Sequence, residues 1–426
     1  MSHTDSNPEA IHKPSKKQLV FYAFLFGLIV LFLVVSYFIL EFATKKVLEA
    51  QRGSSVVSFW QNDDLLAQSL KPNSESMLTN GAGEFNVSIK TTSQGFRDIR
   101  EYQIPKPKDT IRILMLGDSF TFGHGVEIEQ TFSKVLETYL NNAYGMFGKK
   151  FEIINAGYAS GFTWDEYYLF LKERGLKYQP DVVLINTWVG NDLTDIVSHI
   201  YPEQDELGLP LKIVSKTTFV DDYGFLEAIP PPIEIRPGFI GIKDRLNVLC
   251  DKSLFCKTVI WPHVSSTTKA ISHLDTKSEP PPPPPLTLLK ENPLAFFGPM
   301  LFMINFLPAK LEPAIEAAWE TGQKMLLASK EISAAAHAQL MIVNIPIKLE
   351  LYDKNGVFDN QKLFNRNRLE TFAREAGIPF CSPLAALKQE LATTYFLQDS
   401  HLTARGHEIV AAVIDSCISL PFTQKK

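Results

Sequence analysis

The chain has 426 residues, 45% hydrophobic and 21% charged, the make-up of an ordinary globular protein with room for one large or two modest domains. Lys and Arg number 42 against 47 Asp and Glu, a net charge of -5, so no strong field of either sign marks nucleic acid or an acidic polymer as the main partner.

Residues 1–18 are polar and read as a short cytoplasmic tail. The stretch 19–40 (LVFYAFLFGLIVLFLVVSYFIL) carries no charge. As a helix it would span roughly 33 Å, enough to cross a bilayer core of about 30 Å. A cleaved signal peptide has an apolar region of only about 7–15 residues that ends at small residues. This one is longer and runs into Ile39-Leu40-Glu41-Phe42, which predicts an uncleaved transmembrane anchor over 19–41. Lys13, Lys16 and Lys17 before the span balance Lys45, Lys46 and Arg52 after it, so the positive-inside count is a tie. The short tail and the cysteines favour the large C-terminal part being periplasmic or extracellular. Cys250 and Cys256 (LNVLCDKSLFCKT) are spaced to close a small disulfide loop, whereas Cys381 and Cys417 fall in core elements and read as buried thiols.

Residues 42–84 are expected to form a juxtamembrane stalk, helical over 44–52. The main domain is expected over 85–421. Within it, 85–90 (FNVSIK) alternates like a half-buried strand and leads to a turn at Gly95-Phe96-Arg97-Asp98. Apolar strand-type runs follow at 111–116, 151–155 and 181–186, separated by helical spacing at 129–141 and 164–174. Later come a helix at 313–339, a strand at 340–345, a helix at 363–376, a strand start at Ile378 and a helix at 404–417. Strands alternating with helices predict a doubly wound, flavodoxin-like α/β fold, a parallel sheet with helices on both faces. Between about 200 and 312 this rhythm fails. Pro230-Pro231-Pro232 and the run 280–285 favour extended backbone, and 294–307 is apolar but interrupted by Gly298-Pro299. The region reads as an insertion, its apolar segment either core or a lid for an acyl chain.

Polar motifs sit where open α/β sheets place their sites, just past the strand ends. They are Gly117-Asp118-Ser119-Phe120-Thr121, Asn155-Ala156-Gly157-Tyr158, Gly190-Asn191-Asp192 and, before the last helix, Asp399-Ser400-His401-Leu402. Singly each has a bland explanation: a helix cap, a turn, a surface histidine. Neither GxxxxGK[ST] nor GxGxxG is present, which argues against a phosphate loop. Taken in order, the set resembles the SGNH hydrolase superfamily, the GDSL-like esterases and lipases, over about 95–195 and 327–419.

That resemblance implies Ser119 as nucleophile, His401 as general base and Asp399 as the carboxylate that orients it. It further implies an oxyanion hole built from the backbone N–H groups of Ser119 and Gly157 and the Asn191 side chain. Asp118 is expected to shape the turn. Two features depart from the family's pattern. The spacing Asp399-Ser400-His401 is one residue shorter than the usual Asp-x-x-His, so His401 could instead lean on a backbone carbonyl, and Phe120 stands where GDSL has Leu. His124 reads as a loop residue at the entrance. No His/Cys/Asp cluster has metal-ligand spacing, so neither metal nor cofactor is expected. The implied function is a serine esterase acting on a small ester, a lipid or an acylated glycan, tethered to the membrane. The alternatives are an O-acetyltransferase acting on an envelope polysaccharide with the same residues, and an inactive SGNH scaffold.

Overall fold

The computed structural model describes residues 16–55, 59–80, 83–158, 161–220, 226–228, 312–353 and 366–418. Cys250, Cys256, the polyproline run and the apolar segment 294–307 lie outside the described residues. Helix α1 (Lys16–Ser55) falls, up to Ser54, in the first of two compact units, which also takes in 233–281. Its part from Lys16 to Leu40 is long and apolar enough to cross a membrane, as anchors and signal sequences both are, and side chains such as Phe21, Phe24 and Phe32 are exposed.

The second unit is built on five parallel strands: β5 (Thr110–Gly117), β6 (Lys150–Gly157), β7 (Val182–Thr187), β12 (Gln339–Asn344) and β13 (Phe380–Cys381). Their spatial order is β13-β12-β7-β5-β6, so the chain runs outward from β5 to β6, then steps back across β5 to continue in the other direction. This is a doubly wound, flavodoxin-like sheet. Helix α3 (Phe132–Tyr144) packs on the last helix, α11 (Ala404–Cys417), while the long α6 (Glu312–Ala335) packs on α4 (Trp164–Phe170) and α5 (Asp192–Ser198). Helices on both faces explain the unbroken apolar runs: Ile113 to Leu116 and Val183 to Ile185 are fully buried. One charge survives inside the strand IRILML because its register partner answers it. Arg112 lies opposite Glu152 on β6 and donates to its carboxylate at 2.7 Å. Losing either partner would leave a buried charge, a change that costs about 3–5 kcal/mol.

Local caps set the helix bounds. The helix expected from 129 starts at Phe132, because Thr131 accepts the Lys134 N–H as its N-cap. Helix α11 begins at Ala404 behind the Thr403 cap, which accepts from Gly406.

The stretch expected as a stalk divides in two. Helix α1 continues to Ser55, but 59–80 folds into the second unit as β1 (Trp60–Gln61), β2 (Ser69–Leu70) and β3 (Glu75–Thr79), the last paired with β4 (Asn86–Lys90). Phe59, Trp60, Leu66 and Leu70 are buried in the common core, and Phe59 stacks on Phe122 with ring centroids 5.4 Å apart. Apolar surface of that size cannot stay solvated in a stalk. In the expected insertion, β8 (His199–Gln204) and β9 (Pro210–Ser215) form an antiparallel hairpin, followed by the short pair β10 (Thr218–Val220) and β11 (Leu226–Ala228).

Cys381 and Cys417 are not free thiols. The end of β13 and the end of α11 meet with Cα atoms 6.2 Å apart, and the two residues form a disulfide across a sequence separation of 36. The loop it closes contains Asp399 and His401. Replacing both cysteines by serine should lower the urea-derived unfolding free energy by about 2–4 kcal/mol. An unchanged midpoint would mean that the bridge contributes nothing to the folded state.

Candidate active site

Gly117 of β5 lies in register with Gly157 of β6 and with Asn186 of β7, so three loops leave one sheet edge together at the point where strand order reverses. After Gly117 the chain turns at once into the short helix α2 (Ser119–Phe122). Asp118 caps it, its Oδ1 accepting the Phe120 N–H at 3.0 Å. Ser119 is therefore the first helical residue, a position whose N–H has no partner within the helix. Helix α2 rests directly on the strand ends. A Cβ on Gly117 would come within 2.0 Å of Thr121 Oγ1, and one on Gly157 within 2.3 Å of the Phe122 backbone nitrogen. Only glycine leaves room for α2 at both positions. Arg97, fully buried, anchors the far end by donating to the carbonyls of Phe122, Gly123 and Val126.

The structure brings Ser119, His401 and Asp399 into one line. His401 Nε2 is 2.7 Å from Ser119 Oγ, and His401 Nδ1 is 2.6 Å from Asp399 Oδ1. With the Nδ1 proton facing the carboxylate, Nε2 is the acceptor for the serine hydroxyl. The short Asp-x-His spacing closes tightly, because the same Asp399 Oδ1 also accepts the backbone N–H of His401 at 2.8 Å. Burial works against the charge of Asp399, yet these bonds and the imidazole hold its pKa down to about 2.

The loop carrying this pair has its own supports, none of them visible as a motif. Tyr395 and Leu402 form an antiparallel bridge, and the Tyr395 hydroxyl donates to the Pro346 carbonyl at 2.6 Å. Glu84, far upstream, accepts the N–H groups of Gln398 and Asp399, each at 2.9 Å. Lys348, on α7 (Lys348–Tyr352), donates to the carbonyls of Phe396 and Leu397, the latter at 2.8 Å. Burial lowers its pKa to about 8, although Glu84 and Asp399 oppose the shift.

Aromatic rings clamp the His401 imidazole. Phe120 lies 4.9 Å from the His401 ring on one contact and His124 stacks at 4.2 Å with an interplanar angle of 23° on another. Phe120 thus packs the imidazole from the position where the GDSL pattern has Leu. Burial and the His401 ring push His124 down to about 3, so it is neutral near pH 7. His124, Asp399 and His401 each offer a ligand atom within 4.8 Å of one another. Near-parallel rings keep their lone pairs in parallel planes, and both His401 nitrogens are already engaged, so these groups do not converge on a cation.

Two expected oxyanion donors stand apart from that line. Gly157 donates its N–H to Asn155 Oδ1 at 3.0 Å, while Asn155 Nδ2 clamps the Thr121 carbonyl of α2 at 2.7 Å. Asn191 is the residue that opens α5, at the end of β7, and its Nδ2 donates to Asp195 Oδ2 at 2.8 Å. Behind it lies a group of acids. Asp192 accepts from Trp188 N–H and from Thr163, and Asp165 bonds His199 Nδ1 at 2.8 Å.

Several of these groups hold protons more tightly than in an unfolded chain. Burial, with the charge of Asp195, pushes Asp118 to about 8, and burial lifts Glu166 to about 8 and Asp195 to about 7. Burial disfavours charged His199, but Asp165, Glu166 and Asp195 raise it to about 9. Every one of these values exceeds its unfolded counterpart of 3.8, 4.5 or 6.5, so folding takes up protons. Stability should therefore fall as pH rises from about 7 to about 9, above the range in which the buried neutral His124 and His407 oppose the trend. Thermal unfolding across that range checks this. A melting temperature that rises with pH would contradict the burial of this cluster.

No family model matches the sequence, and no curated protein matches it. Among solved structures the chain is similar to a catalytic mutant of an acetylxylan esterase from Geobacillus stearothermophilus, 10% identical over 74% of this chain and 97% of that one, TM-score 0.37. It is also similar to a psychrotrophic esterase from Pseudoalteromonas, 11% identical over 72% and 95%, TM-score 0.33. A protein from Parabacteroides merdae assigned as a GDSL-like lipase is 15% identical over 74% and 98%, TM-score 0.33.

Proposed function

We propose that this protein is a serine-dependent acyl-ester hydrolase of the SGNH type. The hydrogen-bonded line from Asp399 through His401 to Ser119 carries the reading. Ser119 Oγ attacks the ester carbonyl as His401 Nε2 takes its proton, and ionised Asp399 stabilises the imidazolium. The tetrahedral oxygen is met by the Ser119 N–H at the start of α2 and by the Asn191 amide. Donors of this kind are each worth about 3–4 kcal/mol in the transition state. Gly157, whose N–H is held by Asn155, serves by leaving space for α2. Collapse expels the alcohol with the proton returned from His401, and water then releases the acid by the same steps in reverse.

The site works outside the cytoplasm, tethered by α1. The apolar span of that helix and the Cys381–Cys417 disulfide, a bond that persists in oxidising compartments, both support this placement.

Ser119→Ala and His401→Ala should each reduce turnover of a nitrophenyl ester by about 10³-fold or more, and Asp399→Ala by about 10²–10⁴-fold. A Ser119→Ala protein that keeps more than a few per cent of the rate would sink the assignment. On fractionation, the intact chain should stay with the membrane, and its folded unit should be cut by protease added outside the cell. Recovery of a soluble form lacking the 19–41 segment would identify a cleaved signal instead.

A further inference from the structure

Asn191 has one feature that the proposed reaction leaves unused. Its Oδ1 is buried with no hydrogen-bond partner among the described residues, while its Nδ2 is committed to Asp195 one helical turn further along α5. A primary amide carries both of its N–H groups on one nitrogen, fixed in the amide plane, so anchoring one sets the direction of the other. The identity of the anchor matters as well. Burial lifts Asp195 to about 7, so above that pH its carboxylate accepts and cannot donate, and an amide turned over by half a rotation would face it with Oδ1 and be repelled. A partner that only accepts therefore selects the orientation in which nitrogen, not oxygen, points inward.

We propose that Asp195 is a positioning residue for acyl transfer, holding the Asn191 carboxamide so that its second N–H is aimed at the developing oxyanion. The inference rests on the ester-hydrolase reading and on Asn191 as one of its donors. Asp195 itself touches no reacting atom. It acts through Asn191, as the Asn155 side chain acts through α2.

The loss should appear in kcat, because the donor is engaged only in the transition state. Asp195→Ala is expected to lower kcat by about 10–100-fold with KM changed less than about 3-fold, and the isosteric Asp195→Asn to recover part of that loss. The deciding experiment is a double-mutant cycle with Asn191→Ala, with melting temperatures recorded for every variant. Asn191→Ala should lose about 10²–10³-fold in kcat, and adding Asp195→Ala to it should cost less than about 3-fold more. Should Asp195→Ala not fold, Asp195→Asn serves in both backgrounds, with a loss that vanishes once Asn191 is gone. Additive losses, or a loss that appears in KM alone, would overturn the positioning role. A full-rate Asn191→Ala beside a dead Ser119→Ala would also overturn it while leaving the hydrolase standing. An active Ser119→Ala would bring down the underlying reading.

Discussion

The hydrogen bond between Ser119 and His401 joins residues 282 positions apart, and most of the second unit can be understood as holding its two ends still. One end is set by the sheet. Parallel strands in register deliver Gly117 and Gly157 to the same edge, and the absence of a side chain at both lets α2 settle onto them. The other end belongs to a loop with no regular structure, which must be held by individual bonds. Glu84 and Lys348 supply them from two separate parts of the chain, and the Tyr395 hydroxyl ties the loop itself to Pro346. A misplacement of about 1 Å in such a geometry can cost about 10²-fold in rate, so the supports matter as much as the reacting groups.

The site also gathers acidic groups where burial disfavours their charge. Asp118, Asp165, Glu166 and Asp192 are buried in the segments that follow β5, β6 and β7, and His199 faces Asp165 and Glu166. A protein interior selected for stability alone would replace such groups with apolar ones of similar shape. Here the acids have structural work in the turns: Asp118 caps α2 and Asp192 ties Trp188 to Thr163. Trp188 in turn packs on Phe120, which packs against His401, so Asp192 reaches the His401 imidazole through a chain of rings.

Much of the architecture was legible from the linear pattern because its causes are local. The apolar runs at 111–116, 151–155 and 181–186 can only be strands buried on both faces, and the helices between them force parallel pairing. The motif residues stand at strand ends, where chain connectivity alone places them on one edge. Other features escaped notice for equally physical reasons. Arg97 reads as an ordinary turn residue until three carbonyls are seen to converge on it, and Glu84 lies in a segment that resembles a stalk. Cys381 and Cys417 gave no sign of pairing, since 36 residues separate them and only the packing of α11 against β13 brings them together.

Composition, periodicity and motif order thus determined the apolar N-terminal helix, the doubly wound sheet and which side chains gather at its carboxyl edge. These follow from hydrophobic spacing and from the fixed direction of parallel strands. What only the tertiary structure decided is how those side chains meet. The closure of the short Asp399–His401 step, the rings of Phe120 and His124 against the imidazole, the Asn155 bond to Gly157 and the Asp195 bond to Asn191 are all angles and distances. Hydrogen bonds and ring contacts depend on fractions of an ångström, and sequence spacing carries no information at that scale once the contacts span different elements.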